Sequence, residues 1–242
     1  MLPCVVLAGG LGTRMRPLTA NVPKSLVPVL GRPFAELQLE WLASQEVTDV
    51  IYSIGYRGSM VRAALGDGRR FGVTLTYVDE GNELLGSAGA LRLALDQSLL
   101  PDAFFVLNGD SYLSLDFADV EATWRRSGRP VLMTVFRNSG RWDQSNAVLR
   151  DDGSVLYDKR AAAGDQQAPE WIDYGLSVIT SEVIAAALPS GGRGDLADVM
   201  AGLSRRGDVA GYEAQHRFYE VGSKSGVHDL EAHLASLGAS RP

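Results

Sequence analysis

Two kinds of residue in this sequence are spaced for handling phosphate: glycines that clear the main chain, and cations close behind them. Cys-Val-Val-Leu-Ala at residues 4 to 8 is a short apolar run that predicts a buried strand, and the chain then breaks at once into Gly9-Gly10-Leu11-Gly12-Thr13-Arg14. With no Cβ in the way, successive N–H groups there can converge on an anion. Arg14 and, ten residues on, Lys24 bring positive charge to the same stretch. Together these groups suit a polyphosphate; the glycines alone would also fit a plain turn among surface cations.

The spelling separates the loop from its better-known relatives. A P-loop needs a Gly-Lys pair that does not follow here, and the dinucleotide fingerprint would need glycine where Met15 stands. Pro17, Pro23, Pro28 and Pro33 punctuate the next stretch, so no long helix can start there to hold phosphate on its dipole. A second informative stretch is Phe104-Phe-Val-Leu-Asn-Gly-Asp110. A strand ending in Asp110 puts a carboxylate at the C-terminal sheet edge where ligands of open α/β folds bind, although Asn-Gly with Asp110 as a cap is also a good hairpin turn. Mg²⁺ typically takes one or two carboxylates and completes its shell with phosphates and waters.

The elements that must position these groups follow from hydrophobic periodicity. Apolar runs predict strands at 50–54, 73–78, 104–107 and 131–136, and three-to-four spacing predicts helices at 35–45, 59–65, 88–95 and 117–124. That alternation implies an α/β fold with a parallel sheet and helices on both faces. Later, 146–149 and 154–157 flank Asp151-Asp152-Gly153 as a hairpin, with further strands at 172–179 and 218–221 and helices at 182–188, 196–204 and 227–237. Gly191-Gly192-Arg193-Gly194 reads as a mobile loop.

The string Leu7-Ala-Gly-Gly-Leu-Gly-Thr-Arg-Met-Arg-Pro-Leu-Thr-Ala-Asn-Val-Pro-Lys-Ser-Leu-Val-Pro-Val-Leu-Gly-Arg-Pro-Phe34 resembles the signature of the sugar-1-phosphate nucleotidyltransferases. Related cytidylyl- and molybdopterin-guanylyltransferases open alike but lack the Arg-Pro-Leu-Thr insert before Pro-Lys. The resemblance implies a Rossmann-like mixed, mainly parallel sheet of the GT-A-like kind. It also implies one domain over 1–242, with a nucleotide half about 1–130, a sugar-binding half about 131–242 and no β-helix extension. Its nucleotide contacts would be Leu7, Ala8, Gly9, Gly10, Gly12, Thr13 and Asn108, with Gly86 and Ser87 of Glu83-Leu-Leu-Gly-Ser-Ala-Gly-Ala-Leu91 beside the base.

Asp110 would bind Mg²⁺ with Glu220, which stands where relatives usually carry Asp before the glycine. On the sugar side, Asp158-Lys159 resembles the family's Glu-Lys pair, its lysine on the sugar phosphate and its carboxylate on a hydroxyl. Gly109, Asn146, Asp173, Tyr174 and Gly175 would complete that side, Asp173 and Tyr174 departing from the family's Asn-x-Gly. The implied reaction is in-line attack of a sugar 1-phosphate on the α-phosphate of a nucleoside triphosphate. Arg14, Lys24, Asp110 and Lys159 would be the catalytic groups. The spelling around Gly86 leans to GTP with a heptose or hexose 1-phosphate, as in heptose- and mannose-1-phosphate guanylyltransferases; UTP, dTTP or CTP is the alternative. A reading of another class is a non-catalytic nucleotide-sugar-binding regulatory paralogue, for which Glu220 is the one hint.

Composition sets the outer bounds. The chain has 242 residues, 45% hydrophobic, which suffices for a substantial core, and its net charge of −6 with no basic stripe argues against nucleic acid as a partner. Arg125-Arg126 and Arg205-Arg206 fall near predicted helix ends, where they favour the dipole. Cys4 is the single cysteine and reads as a small buried thiol. No apolar run is long enough to cross a membrane and no leader pattern opens the chain, so the expectation is a soluble cytoplasmic protein with no membrane partner. A homodimer is one of the oligomeric states left open. His216, His228 and His233 read as surface histidines, since a five-residue spacing does not make a helical zinc pair.

Overall fold

The computed structural model describes residues 1–10, 12, 15, 19, 21–81, 83–138, 141, 144–159 and 169–239. In chain order its elements are β1 (Cys4–Leu7), β2 (Pro28–Val29), β3 (Arg32–Pro33), α1 (Phe34–Ser44), β4 (Asp49–Ile54), α2 (Gly58–Leu65), β5 (Thr74–Asp79), α3 (Ser87–Asp96), β6 (Ala103–Asn108) and β7 (Ser111–Tyr112). They continue with α4 (Phe117–Ser127), β8 (Val131–Arg137), β9 (Ala147–Leu149), β10 (Val155–Tyr157), β11 (Trp171–Thr180), α5 (Ser181–Ala187), α6 (Leu196–Arg205), β12 (Val209–Ala214), β13 (Tyr219–Glu220) and α7 (Lys224–Ala239). The chain divides into two compact units that interleave in sequence. The first takes Met1–Cys4, Leu85–Leu107 and Ser114–Arg217; the second takes Val5–Leu84, Asn108–Leu113 and Phe218–Pro242.

The first unit is organised by β11, which runs antiparallel to β6, β8 and β9. Strands β6 and β8 are buried nearly end to end, which is why they read as unbroken apolar runs rather than alternating ones. The expected hairpin forms as β9–β10, with Leu149 opposite Val155 and Gly153 at φ 74° in its turn. Strand β12 pairs parallel with β8 and had no counterpart among the expected elements. Its sequence, Val-Ala-Gly-Tyr-Glu-Ala, lacks a clear apolar period. Gly211 has a steric reason: a Cβ there would lie 2.4 Å from Leu149 Cδ1 and 2.8 Å from Val155 Cγ2, so glycine lets β12 meet the hairpin. Helix α4 opens on Asp116, whose carboxylate accepts from the N–H groups of Ala118 and Asp119 at 2.7 and 3.3 Å, a cap worth about 1 kcal/mol. It closes on Gly128 in the left-handed region, with Arg125 and Arg126 in its last turn as the dipole favours.

In the second unit β1, β4 and β5 are neighbours, β4 and β5 pairing in parallel from Asp49↔Thr74 to Ile54↔Asp79. Two small ribbons accompany them, β2–β3 and β7–β13. Helix α1 starts directly after Pro33, which cannot donate a hydrogen bond and so ends the preceding ribbon. Helix α7 joins these pieces through a cluster of Val29, Phe34, Val221 and Leu230, with Tyr112, Tyr219 and Leu234 against it. His233 belongs to this packing and is not a surface histidine as expected: its ring stacks on Tyr219 at 4.2 Å between centroids and meets Tyr112 edge-on at 6.1 Å. His216 and His228 are exposed. Cys4 is fully buried and free, and burial pushes its thiol pKa up, as a structural cysteine requires.

Candidate functional site

The second unit carries the glycine loop. It leaves β1 at Leu7, whose carbonyl accepts from the Gly109 N–H at 3.0 Å, while Ala8 N–H donates to Ser53 at 3.0 Å. Gly9 is a contact glycine: a Cβ would sit 2.1 Å from Glu80 Oε1, a carboxylate oxygen that also accepts from Ser53 Oγ at 3.1 Å. Gly12 adopts φ 59°, and its carbonyl accepts from the Thr19 hydroxyl at 2.7 Å and the Met15 N–H at 3.0 Å. At Gly10 an added Cβ would meet nothing within 4 Å, so packing does not demand glycine there. Thr13 and Arg14, both expected at this loop, lie outside the described residues.

Lys24 opens a short 3₁₀ turn after Pro23, and its ammonium forms an ion pair with the Asp110 carboxylate. Their side chains are 18% and 23% exposed, so the pair stands at the surface with part of its hydration removed. The structure thus brings together the loop's second cation and the carboxylate from the end of β6. The Asn108-Gly109-Asp110 stretch is a close approach as well as a turn, since a Cβ on Gly109 would lie 2.6 Å from the Leu7 carbonyl. Strand β13 then lies beside Asp110: the Val221 N–H donates to the Asp110 carbonyl at 2.9 Å, and Glu220 is opposite Ser111. Asp110 therefore lies in the turn just before β7, and Glu220 on β13, the strand paired with β7.

These residues fit a hard divalent cation. Two carboxylates, one from the turn before β7 and one from β13, are hard oxygen donors of the kind such a cation takes. Among the described residues no group of three or more His, Cys, Asp or Glu could hold a metal.

The first unit carries the residues expected on the sugar side apart from Gly109, which lies in the second, and it also carries Gly86 and Ser87, expected beside the base. Asp158 N–H donates to the Asn146 carbonyl at 2.9 Å, and Asn146 Oδ1 accepts from the Asp173 N–H at 2.8 Å. Gly175 takes φ 100° where β11 shifts register between Asp173 and Ser177, a bulge that glycine permits. Tyr174 goes the other way: it is 1% exposed, and its hydroxyl accepts from Ser114 N–H at 3.2 Å and donates to the Arg217 carbonyl at 3.4 Å. It is a core residue.

Lys159 Nζ pairs with Asp195 Oδ2 at 2.8 Å, both side chains well exposed at 59% and 46%. Asp195 was not anticipated. It caps α6 through Ala197 N–H at 3.0 Å and accepts from the Ser87 hydroxyl at 2.9 Å, while Ser87 Oγ accepts from Leu196 N–H at 2.8 Å. Burial raises its pKa, but the bonds from Lys159, Ala197 and Ser87 outweigh that and hold the carboxyl below the usual carboxylate range. The adjoining Gly191–Gly194 segment is not the mobile loop expected from its glycines. Gly194 N–H donates to Leu85 at 3.0 Å, and the Gly194 carbonyl accepts from Ala88 at 3.0 Å; a Cβ on Gly86 would lie 2.3 Å from that carbonyl. Glycine at 86 permits this close approach.

Asp173 makes a pH prediction. Burial raises its pKa, with the Gly175 N–H bond and the Lys159 charge pulling it down less strongly. A folded-state pKa above the unfolded one means the protonated form contributes stability at low pH, and this is lost as pH rises through the folded value. Asp173→Asn should therefore melt a few degrees higher than the parent at neutral pH, the gain vanishing near about pH 4. Melting curves at the two pH values check this; an equal shift at both would remove the titration as its cause.

The glycine loop with its cation and carboxylate lies in one unit, and a lysine among acidic and amide groups in the other, on an α/β scaffold. The chain belongs to the nucleotidyl transferase family, whose model matches residues 4–150. It is 29% identical over 208 residues, 81% of its length, to a UTP–glucose-1-phosphate uridylyltransferase of Synechocystis, and 41% identical over 127 residues, 51% of its length, to a mannose-1-phosphate guanyltransferase of Eremothecium gossypii. The chain spans 53% and 35% of these two relatives. The crystal structure of HddC from Yersinia pseudotuberculosis with GMP-PN superposes with a TM-score of 0.76 at 21% identity, covering 97% of this chain and all of that one. The α/β class with a mixed sheet is therefore the fold expected from the sequence. No helix among the described residues is long and apolar enough to cross a membrane.

Proposed function

We propose that this chain is a single cytoplasmic nucleotidyltransferase domain that transfers a nucleoside monophosphate from a nucleoside triphosphate to a sugar 1-phosphate, releasing pyrophosphate, with Mg²⁺ held by Asp110 and Glu220. The observation that carries the reading is the ion pair of Lys24 with Asp110 in the unit that holds the glycine loop. A bound divalent cation would neutralise phosphate oxygens as charge gathers on the leaving pyrophosphate. Lys24 gives its charge to the α-phosphate, Arg14 to the departing pyrophosphate, and the loop glycines leave their N–H groups to the triphosphate. Lys159 orients the attacking sugar phosphate, with Asp158, Asn146 and Asp173 facing sugar hydroxyls. A phosphate monoester dianion is already nucleophilic, so no general base is needed and rate comes from positioning and charge neutralisation.

Among nucleotides we favour GTP with a heptose or hexose 1-phosphate, on the spelling of the Gly86-Ser87 segment and the mannose-1-phosphate guanyltransferases among the relatives. Pyrophosphate release over a matrix of nucleoside triphosphates and hexose and heptose 1-phosphates tests this. The expected result is chelator-sensitive release, highest with GTP. Release highest with UTP, dTTP or CTP overturns the base, and nucleotide-sugar binding with no release in any cell overturns catalysis in favour of a regulatory role.

A further inference from the structure

We propose that Gln38 is a positioning residue for the metal-binding carboxylate. Gln38 lies on α1 and is fully buried among Phe34, Ala35, Leu39 and Leu42 of the same helix. Its Nε2 donates to the Asn108 carbonyl at 3.2 Å and to the Ser111 carbonyl at 2.9 Å. Those two carbonyls bracket Gly109-Asp110, so a single side chain ties both ends of the turn from which the Asp110 carboxylate projects. The Leu7 carbonyl holds the Gly109 N–H and the Val221 N–H holds the Asp110 carbonyl, each on the main chain.

The amide is oriented by its partners, because turning it over would set Oε1 against two carbonyl oxygens. Held this way, Oε1 is buried with no hydrogen-bond partner among the described residues, which costs stability. An apolar side chain would avoid that cost, and what it would lose is the grip on the turn. A charged side chain would disturb the balance between Lys24 and Asp110; a neutral amide supplies geometry and leaves the charge unchanged. The inference rests on the reading of Asp110 as a cation ligand.

The test compares the parent with Gln38→Met, Gln38→Asn and Asp110→Ala. Mn²⁺ binding is measured by electron paramagnetic resonance in the presence of a non-hydrolysable nucleoside triphosphate, alongside melting curves and the KM for sugar 1-phosphate. Removing a partner that orients a metal ligand typically weakens metal binding about 10–100-fold. Both Gln38 variants should show a loss of that order, with the sugar-1-phosphate KM unchanged and turnover recovering as Mg²⁺ is raised. Gln38→Asn, too short to reach both carbonyls yet still polar, carries the test if Gln38→Met fails to fold. Parental Mn²⁺ affinity in a folded Gln38 variant, with binding lost in Asp110→Ala, overturns the role of Gln38 alone. Equal Mn²⁺ binding by the parent and Asp110→Ala overturns the metal site itself.

Discussion

Asp110→Ala is expected to lower pyrophosphate release by about a hundredfold or more while the protein stays folded. A hundredfold corresponds to about 2.7 kcal/mol of lost transition-state stabilisation, within reach of one ligand to a charge-neutralising cation. The stability side is small for a separate reason. The carboxylate is 23% exposed and Lys24 18%, both retaining contact with water, so breaking their pair should cost no more than about 1 kcal/mol. The alternative is that Asp110 serves only to hold Lys24. Lys24→Met would then reproduce the whole defect, and Mn²⁺ binding would be intact in both variants. Parallel melting curves, metal titrations and rate assays separate the two. Asp110→Asn, which keeps the shape and removes the charge, should be nearly as slow as the alanine variant, and full activity there would end the assignment. Glu220 is the milder case: Glu220→Asp should keep more activity than Glu220→Gln if it too faces the cation.

Local patterns were legible wherever one segment contained its own reason. The apolar run before Gly9 is β1, the three-to-four spacing after Pro33 is α1, and Asp151-Asp152-Gly153 turns the β9–β10 hairpin. What the local pattern missed depends on contacts between distant segments. Gln38 carried a signal in retrospect, being a polar residue four from both Phe34 and Leu42 on the apolar stripe of α1, but its partners are 70 and 73 residues away. Asp195 has the form of a helix cap, and nothing in its neighbourhood announces Lys159 or Ser87. Glycine is the most ambiguous residue, because freedom and close approach demand the same side chain. Gly191–Gly194 reads as loose, yet Gly194 is pinned to Leu85, Ala88 and Gly89. Tyr174 reads as a binding side chain on a half-buried strand, and the bulge at Gly175 accompanies its placement in the core.

The sharpest separation of nucleotide from sugar handling is expected from Lys159→Ala and Lys24→Ala, which remove the same charge from different units. Lys159 pairs with Asp195 in a pair more exposed than that of Lys24, a kind of contact worth little in water, so its ammonium can leave for a phosphate at small cost. Its loss should raise the KM for sugar 1-phosphate about tenfold or more and lower kcat through misorientation, with binding of the triphosphate alone unchanged. Lys24 shares its unit with the glycine loop and Asp110, so its loss should weaken triphosphate binding and slow the reaction with every sugar offered. Because one cation is deleted in each, net charge cannot explain a difference between them; only position can. Calorimetric titration with the triphosphate alone, in the absence of sugar, is the deciding measurement. If Lys159→Ala weakens that binding as much as Lys24→Ala does, the assignment of Lys159 to the sugar phosphate is wrong, whatever the rates show.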